Sequence, residues 1–342
     1  MRFTKIAALL TAALITISFS ACRDDYTKEG GEITTADIEL LKQSTETTIV
    51  EDELITAAGD DVIAETGEKP IAALVLDREG TLVEAPADIN RIVSGSESIT
   101  EILIGLGLGG KIVAADKDSA DVTGISPSIC TLNKKIITAS ALEDYEPDVV
   151  ILSGNSSDNV YTTLKNAGIN VICVPQSATL EGIKLDIEFL ASYLSVKNKG
   201  TEIIDGIDKT IVDIMTAAET IGVRRKVYFE ENDIPNSTAY GSGTIENEII
   251  SLIGAENIFA AKSGVADIEL SEVVAANPDV ILTKVNYNGY DLSEISARPD
   301  WTSINALKNN ALYQIGEIHY SNLITESIYE IARAIYPEVY TE

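Results

Sequence analysis

The chain has 342 residues, 45% of them hydrophobic, with 25 Lys and Arg against 54 Asp and Glu, a formal net charge of −29. That length admits two domains of ordinary size with sizeable cores. The charge excludes nucleic acid as a partner, because its phosphates are repelled, and disfavours a bare anionic ligand unless basic groups are concentrated locally.

Residues 1–21 read as a signal peptide. Arg2 and Lys5 precede the apolar run IAALLTAALITISF, which is too short and wrongly flanked for an ordinary membrane span. FSAC then places small Ser20 and Ala21 before Cys22. This resembles a bacterial lipobox, with Phe19 where Leu is usual, and implies that Cys22 is the lipidated first residue of the mature protein. A plain secretory signal cleaved nearby, with Cys22 incidental, is the alternative. Residues 22–70, acidic and rich in Thr, Glu and Gly, read as a lipid-anchored tether with local structure at most. The expected location is extracytoplasmic, anchored to the bacterial cell membrane.

From residue 71 the texture changes. ALVLDREGTLVEAP predicts two short strands around an Arg-Glu-Gly turn. INRIVSGSES gives a short strand running into a Ser/Gly loop. ITEILIGLGL then predicts a helix with Ile99, Ile102, Leu103 and Leu106 on one face. KIVAAD is a strand, and LEDYEPDVVIL is a short helix, a Pro-Asp turn and a strand. Its unalternating VVIL suits a parallel strand covered on both faces. DNVYTTLKNAG and NVICV add a helix and a strand. Cys130 and Cys173 fit no CxxC or zinc spacing. A disulfide is allowed by the compartment but not established by the sequence, and Cys173 reads as a buried strand residue.

The second half repeats this order. KVYFE is a strand, YGSG a loop, and ENEIISLIGAENIFAA matches ITEILIGLGLGGKIVAA in kind, with Glu248 opposite Glu101. LSEVVAANPDVILT repeats the short helix, Pro-Asp turn and strand; ALYQIG and ITESIYEIARAIY supply a last strand and helix. Between the halves, Ile203, Ile204, Ile207, Ile211, Ile214 and Met215 recur at helical spacing. The expected fold is of α/β class: two lobes with parallel sheets flanked by helices, joined by one long bridging helix. The lobes are residues 71–196 and 226–342, and the bridge is residues 197–225.

RIVSGSESITEILIGLGLGGKIVAAD, YEPDVVIL, AGINVICVP and LEGIKLDIEFLASYLSV resemble, in order, the first lobe of the ABC-importer substrate-binding lipoproteins for iron-siderophores, haem and cobalamin. YGSGTIENEIISLIGAENIF, VVAANPDVIL, RPDWTSINALKNNALYQI and IARAIYPE resemble the second lobe. Gly95 and Glu97 depart from the family's usual loop wording. The resemblance implies a metal chelate captured between two lobes and delivered by a monomer to a permease driven by an ATPase, with cobalamin or another corrinoid favoured and iron-siderophore or haem next. It also implies permease docking through a surface glutamate on each lobe. Those positions fall here on Ser140 and Ser271, with Glu143 and Glu272 close by.

Open α/β sheets bind ligands outside the carboxyl ends of their strands. That rule selects Ser96, Glu97, Asp116, Ser119, Asn155, Ser156, Gln176 and Ser177 in the first lobe. In the second it selects Tyr240, Ser242, Asn286, Tyr287, His319 and Tyr320. Ser, Asn and Gln offer orienting hydrogen bonds and Tyr a flat face with a polar tip, although such loops are also ordinary turns. His319, the only histidine, is either an axial ligand to a chelated metal or a solvated loop residue. Glu97 and Asp116 disfavour an anionic catecholate ligand. No resident metal or cofactor is expected. An enzyme is not expected either: HExxH, GxSxG and P-loop motifs are missing from the sequence. A ligand-sensing surface lipoprotein without transport is the alternative, with an enzyme on the same scaffold behind it.

Overall fold

The repeated heptapeptides EPDVVIL and NPDVILT are explained by what their aspartates hold. The computed structural model describes residues 71–341 apart from 81, 156, 233–236 and 285–291; all of these lie in one unit, Gly67–Glu342. Strands β1 (Ile71–Leu76) and β2 (Leu82–Pro86) form the expected antiparallel hairpin. The first lobe then runs β3 (Ile92–Ser94), α1 (Glu97–Gly105), β4 (Ile112–Asp116), β5 (Cys130–Leu132), α2 (Ala139–Leu142), β6 (Val149–Ser153), α3 (Asn159–Asn166), β7 (Val171–Val174) and α4 (Leu180–Tyr193). Its five strands pair in parallel throughout, in the order β5-β4-β3-β6-β7.

Helix α5 (Lys197–Ala218) follows, 22 residues or about 33 Å long. The second lobe runs β8 (Lys226–Asn232), β9 (Thr238–Tyr240), α6 (Ile245–Leu252), β10 (Glu256–Asn257), β11 (Val265–Asp267), α7 (Leu270–Ala276), β12 (Val280–Lys284), α8 (Leu292–Ser296), α9 (Asn305–Lys308), β13 (Leu312–Ile315) and α10 (Ile324–Ile335). Strands β10, β8, β12 and β13 are parallel to their neighbours, but β9 and β11 join antiparallel at one edge. The expected all-parallel sheet therefore holds only for part of this lobe. The connection from Asn232 to Thr238 is too short for a crossover, which takes about a dozen residues, so β9 folds back on β8. No described helix is long and apolar enough to cross a membrane.

In each lobe a residue in the left-handed region precedes the proline: Glu146 (φ 39°) and Asn277 (φ 51°). It turns the chain sharply out of a helical turn and into the central strand. The aspartate after the proline then clamps the neighbouring strand. Asp148 donates its N–H to the Arg91 carbonyl at 2.8 Å, and its Oδ2 accepts from the N–H groups of Asn90 at 2.7 Å and Arg91 at 2.9 Å. Asp279 does the same to β8. Its N–H donates to the Lys226 carbonyl at 2.8 Å and its Oδ2 accepts from the Lys226 N–H at 3.0 Å. The following residues, Val149–Leu152 and Val280–Thr283, are buried, as strands covered on both faces should be.

Helix α5 packs on α4 of the first lobe and on α6 and α10 of the second. Ile207 and Ile214, two turns apart, are buried, and one apolar cluster runs from Ile92 and Ile99 through them to Val227 and Ile249. Met215, expected on that stripe, is 39% exposed, because it lies about 100° around the helix from Ile214. The hairpin is pinned to α4 by Arg78, whose Nε is 2.5 Å from Asp186 Oδ1.

Cys130 lies on β5 and Cys173 on β7, the two edges of one five-stranded sheet. Four strand spacings separate them by about 19 Å, beyond disulfide reach. Both are free and buried, and burial pushes the Cys173 thiol up to about 12. Alkylation without reductant, read by peptide mass spectrometry, should leave both unlabelled in the native protein and label both in guanidinium. A disulfide would leave them unlabelled in both. Asp148→Ala and Asp279→Ala should each cost about 1–2 kcal/mol, read as a lower denaturant midpoint at unchanged slope.

Candidate functional site

The loop Ser-Gly-Ser after β3 delivers the amino end of α1 to the gap between the lobes. Ser96 caps α1, its Oγ accepting from the Ile99 N–H at 3.3 Å. Behind it, Thr100 Oγ1 lies 2.8 Å from both Ser94 Oγ and Ser119 Oγ, a buried hydroxyl chain that fixes the start of the helix. Glu97 and Glu101 stand one turn apart on α1. The amino end of a helix dipole favours negative charge, and these two carboxylates already supply it.

A cavity of about 200 Å3 opens here. Ser96, Glu97, Ser98, Glu101, Lys134, Ser153 and Gln176 line it from the first lobe, and Glu317, Ile318, His319 and Tyr320 from the second. The lobes touch across it. His319 Nδ1 is 2.6 Å from Glu101 Oε1, and the Leu180 N–H at the start of α4 donates to Glu248 Oε2 of α6 at 2.9 Å. Glu101 and Glu248 are the positions that the repeat sets opposite each other, so each lobe sends the same glutamate across.

The electrostatics are acidic. Burial, then the neighbouring Glu101, raises the Glu97 carboxyl. The hydrogen bond that the His319 ring donates to Glu101 raises the imidazole, against burial. Burial raises Glu246, which accepts from the Tyr320 hydroxyl at 3.1 Å; that hydroxyl is itself raised by its burial. The basic groups on the cavity wall and the second-lobe strand ends behind it are already paired. Lys134 Nζ is 3.1 Å from Asp118, Lys284 Nζ 3.1 Å from Glu231, and buried Arg298 holds Glu230 through two bonds of 2.6 and 3.1 Å.

Of the residues selected from sequence, Ser96, Glu97, Gln176, His319 and Tyr320 come together at this cavity. Five others are turned elsewhere. Asp116 is fully buried and accepts from the N–H groups of Asp118 at 3.1 Å and Lys134 at 2.6 Å. Ser119 is spent on Thr100, and Ser177 donates to Asp186 Oδ2 at 2.6 Å. Tyr240 lies in strand β9, buried edge-on to Phe229 at 5.0 Å and under Lys284 at 5.1 Å. Ser242 donates to the Lys262 carbonyl at 2.9 Å. Asn155 is exposed, and its Oδ1 accepts from the Ser157 N–H at 2.9 Å. Cys22, Ser156, Asn286 and Tyr287 lie outside the described residues. Glu143 is exposed after α2, while Glu272 shares a capping box with Glu269 and sits 3.2 Å from Lys262.

Sequence reasoning missed Ser98, Glu101, Lys134, Glu317 and Ile318. Glu101 carried a signal: it lies four residues after Glu97 on the helix that opens at Ser96. A larger concavity, about 720 Å3, is lined by segments 220–225 and 334–339 at the amino ends of β8 and β12. Ligands of open α/β sheets collect at the opposite, carboxyl ends, so the smaller inter-lobe cavity is the candidate site.

A profile of the periplasmic binding protein family matches residues 92–318. An uncharacterised ABC transporter substrate-binding lipoprotein of Bacillus subtilis is 26% identical over 264 residues, 74% of this chain and 82% of that one. A vitamin B12-binding protein of Vibrio parahaemolyticus is 22% identical over 245 residues, 69% of this chain and 84% of that one. Among solved structures, the periplasmic haem-binding protein HutB of Vibrio cholerae superposes with a TM-score of 0.61 at 22% identity, covering 72% of this chain and 99% of that one. The vitamin B12-binding protein BtuF of the same organism gives 0.57 at 20%, covering 73% and 97%. At these identities the structures share the fold.

Replacing Glu248 with Ala removes the partner of the Leu180 N–H. The expected cost is about 1 kcal/mol, as for a lost helix cap, with faster amide exchange confined to the start of α4; unchanged exchange there would contradict the crossing contact.

Proposed function

The chain belongs to the periplasmic binding protein family, and on that premise we propose that it captures a metal chelate between its lobes for an ABC importer. A cobalamin or other corrinoid is favoured, with haem or an iron-siderophore next. The observation that carries the ligand class is the charge of the cleft: its basic groups are matched to carboxylates, while Glu97 and Glu317 remain on the wall and Glu246 stands behind Tyr320. A polyanionic catecholate would meet uncompensated carboxylates there, whereas a neutral or cationic chelate with amide donors would find acceptors. The Vibrio vitamin B12-binding relatives support the same choice.

The protein acts as an extracytoplasmic monomer tethered by a lipid on Cys22. The lipobox-like FSAC supports this, as does the description of the Bacillus relative as a lipoprotein. Glu143 on the first lobe and Glu272 on the second are offered as permease contacts. Glu143 is the more available, since Glu272 is engaged with Lys262. Reversing both charges should impair uptake while leaving binding of the chelate unchanged; intact uptake would remove the docking role.

The ligand assignment is tested by absorbance and calorimetric titration with cobalamin, haem and a ferric catecholate. Saturable one-to-one binding of cobalamin, with the catecholate weakest, is expected. Silence with all three would overturn the assignment.

A further inference from the structure

We propose that Arg78, at the tip of the β1–β2 hairpin, is a positioning residue for ligand capture: through Asp186 and Ser177 it holds the loop that carries Gln176 on the cavity wall. The inference rests on the inter-lobe cavity being the capture site and adds an element that does not line it. The tip is built by Asp-Arg-Glu-Gly. Asp77 Oδ1 accepts from the Glu79 N–H at 2.9 Å, the Gly80 N–H donates to the Asp77 carbonyl at 3.1 Å, and Gly80 takes the left-handed conformation at φ 78°. This turn presents Arg78 to α4, where its Nε donates to Asp186 Oδ1. Ser177 Oγ donates to the other oxygen, Oδ2, at 2.6 Å. The Asp186 side chain is 4% exposed, and Arg78 is its one ion-pair partner among the described residues. Burial raises that carboxyl, against the bonds from Ser177 and Arg78.

Residues 175–178, between β7 and α4, make no backbone hydrogen bond among the described residues. The Ser177 hydroxyl is the one group of that loop that makes a bond to them. It reaches Asp186 because residue 182, on the first turn of α4, is glycine: a Cβ there would lie 2.7 Å from the Ser177 Cβ. Gln176, the residue before Ser177, is exposed on the cavity wall, where its amide offers both donors and an acceptor. Just past the loop, the Leu180 N–H is held by Glu248 of the second lobe. The loop is thus fixed at one internal point, and that point depends on Asp186 keeping its charge. A buried carboxylate keeps its charge where a cation pairs with it, and it accepts more strongly than a neutral group. Without Arg78 the carboxyl takes up a proton or water, the Ser177 bond weakens, and Gln176 leaves the wall for part of the time. The hairpin thereby sets how often the cavity wall is complete.

The test combines backbone amide relaxation by NMR on the unliganded full chain with cobalamin titration, in wild type, Arg78→Met, Ser177→Ala and the double variant. Each single variant should lower the order parameters of Gln176, Ser177 and Ala178. Each should also weaken cobalamin binding about 10-fold, as for a loop in place about a tenth of the time, with the far-UV spectrum unchanged. The double variant should lose no more than either alone, because both cut one path. A contact that only stabilises the fold would lower the denaturant midpoint and leave affinity and loop order as in wild type. Losses that multiply in the double variant, or unchanged loop order in folded Arg78→Met, would overturn the positioning. Ser177→Ala leaves the Arg78–Asp186 pair in place and decides the matter where Arg78→Met fails to fold: unchanged loop order and affinity in it overturn the positioning as well. If the wild type binds no cobalamin, the ligand assignment falls and the relaxation data alone decide the role of Arg78.

Discussion

Two carboxylates cross between the lobes, and the shape of the cleft follows from where they land. Glu101 on α1 reaches the loop before α10, and Glu248 on α6 reaches the start of α4. Each sits just ahead of two buried apolar residues, Ile102 and Leu103 in one copy and Ile249 and Ile250 in the other. Six positions later each helix has been stopped by a left-handed glycine, Gly107 or Gly254. The repeat thus places one device twice, once in each lobe. One copy caps a helix of the other lobe; the other grips an imidazole. The same crossing fixes a helix start on one side and an imidazole of the cavity wall on the other.

The rest of the scaffold keeps those crossings in register. The aspartate clamps on β3 and β8 lock each central strand to its neighbour. The bridging helix contributes Ile207 and Ile214 to an apolar cluster shared by both lobes. A shared core of that kind resists large hinge motion, since separating the lobes would expose packed apolar surface. The polar wall of the cleft is then decided locally, by loops leaving strands whose own residues are buried.

Most of the scaffold was legible in the sequence because it rests on periodicity. The hairpin, the strand runs after both Pro-Asp turns and the stripe on the bridging helix all carry apolar patterns that local chemistry enforces. The antiparallel pair β9 and β11 was not legible, because a loop-like YGSG masks how short the return from β8 is. The candidate site was legible as a set of loops but not residue by residue. A serine or aspartate after a strand looks the same whether it faces ligand or fills a neighbour's backbone, and Asp116, Ser119 and Ser177 do the latter. Glu101 was hidden for the opposite reason. It belongs to a helix whose pattern reads as core, and only the opposite lobe reveals why a carboxylate is buried there.

Amide hydrogen exchange with and without cobalamin distinguishes capture in the inter-lobe cavity from capture in the larger concavity. Joint protection of segments 94–101 and 176–180 from the first lobe and 316–320 from the second is expected, with no change at 220–225 or 334–339. Protection at those last two segments, or in one lobe alone, would contradict capture in the inter-lobe cavity.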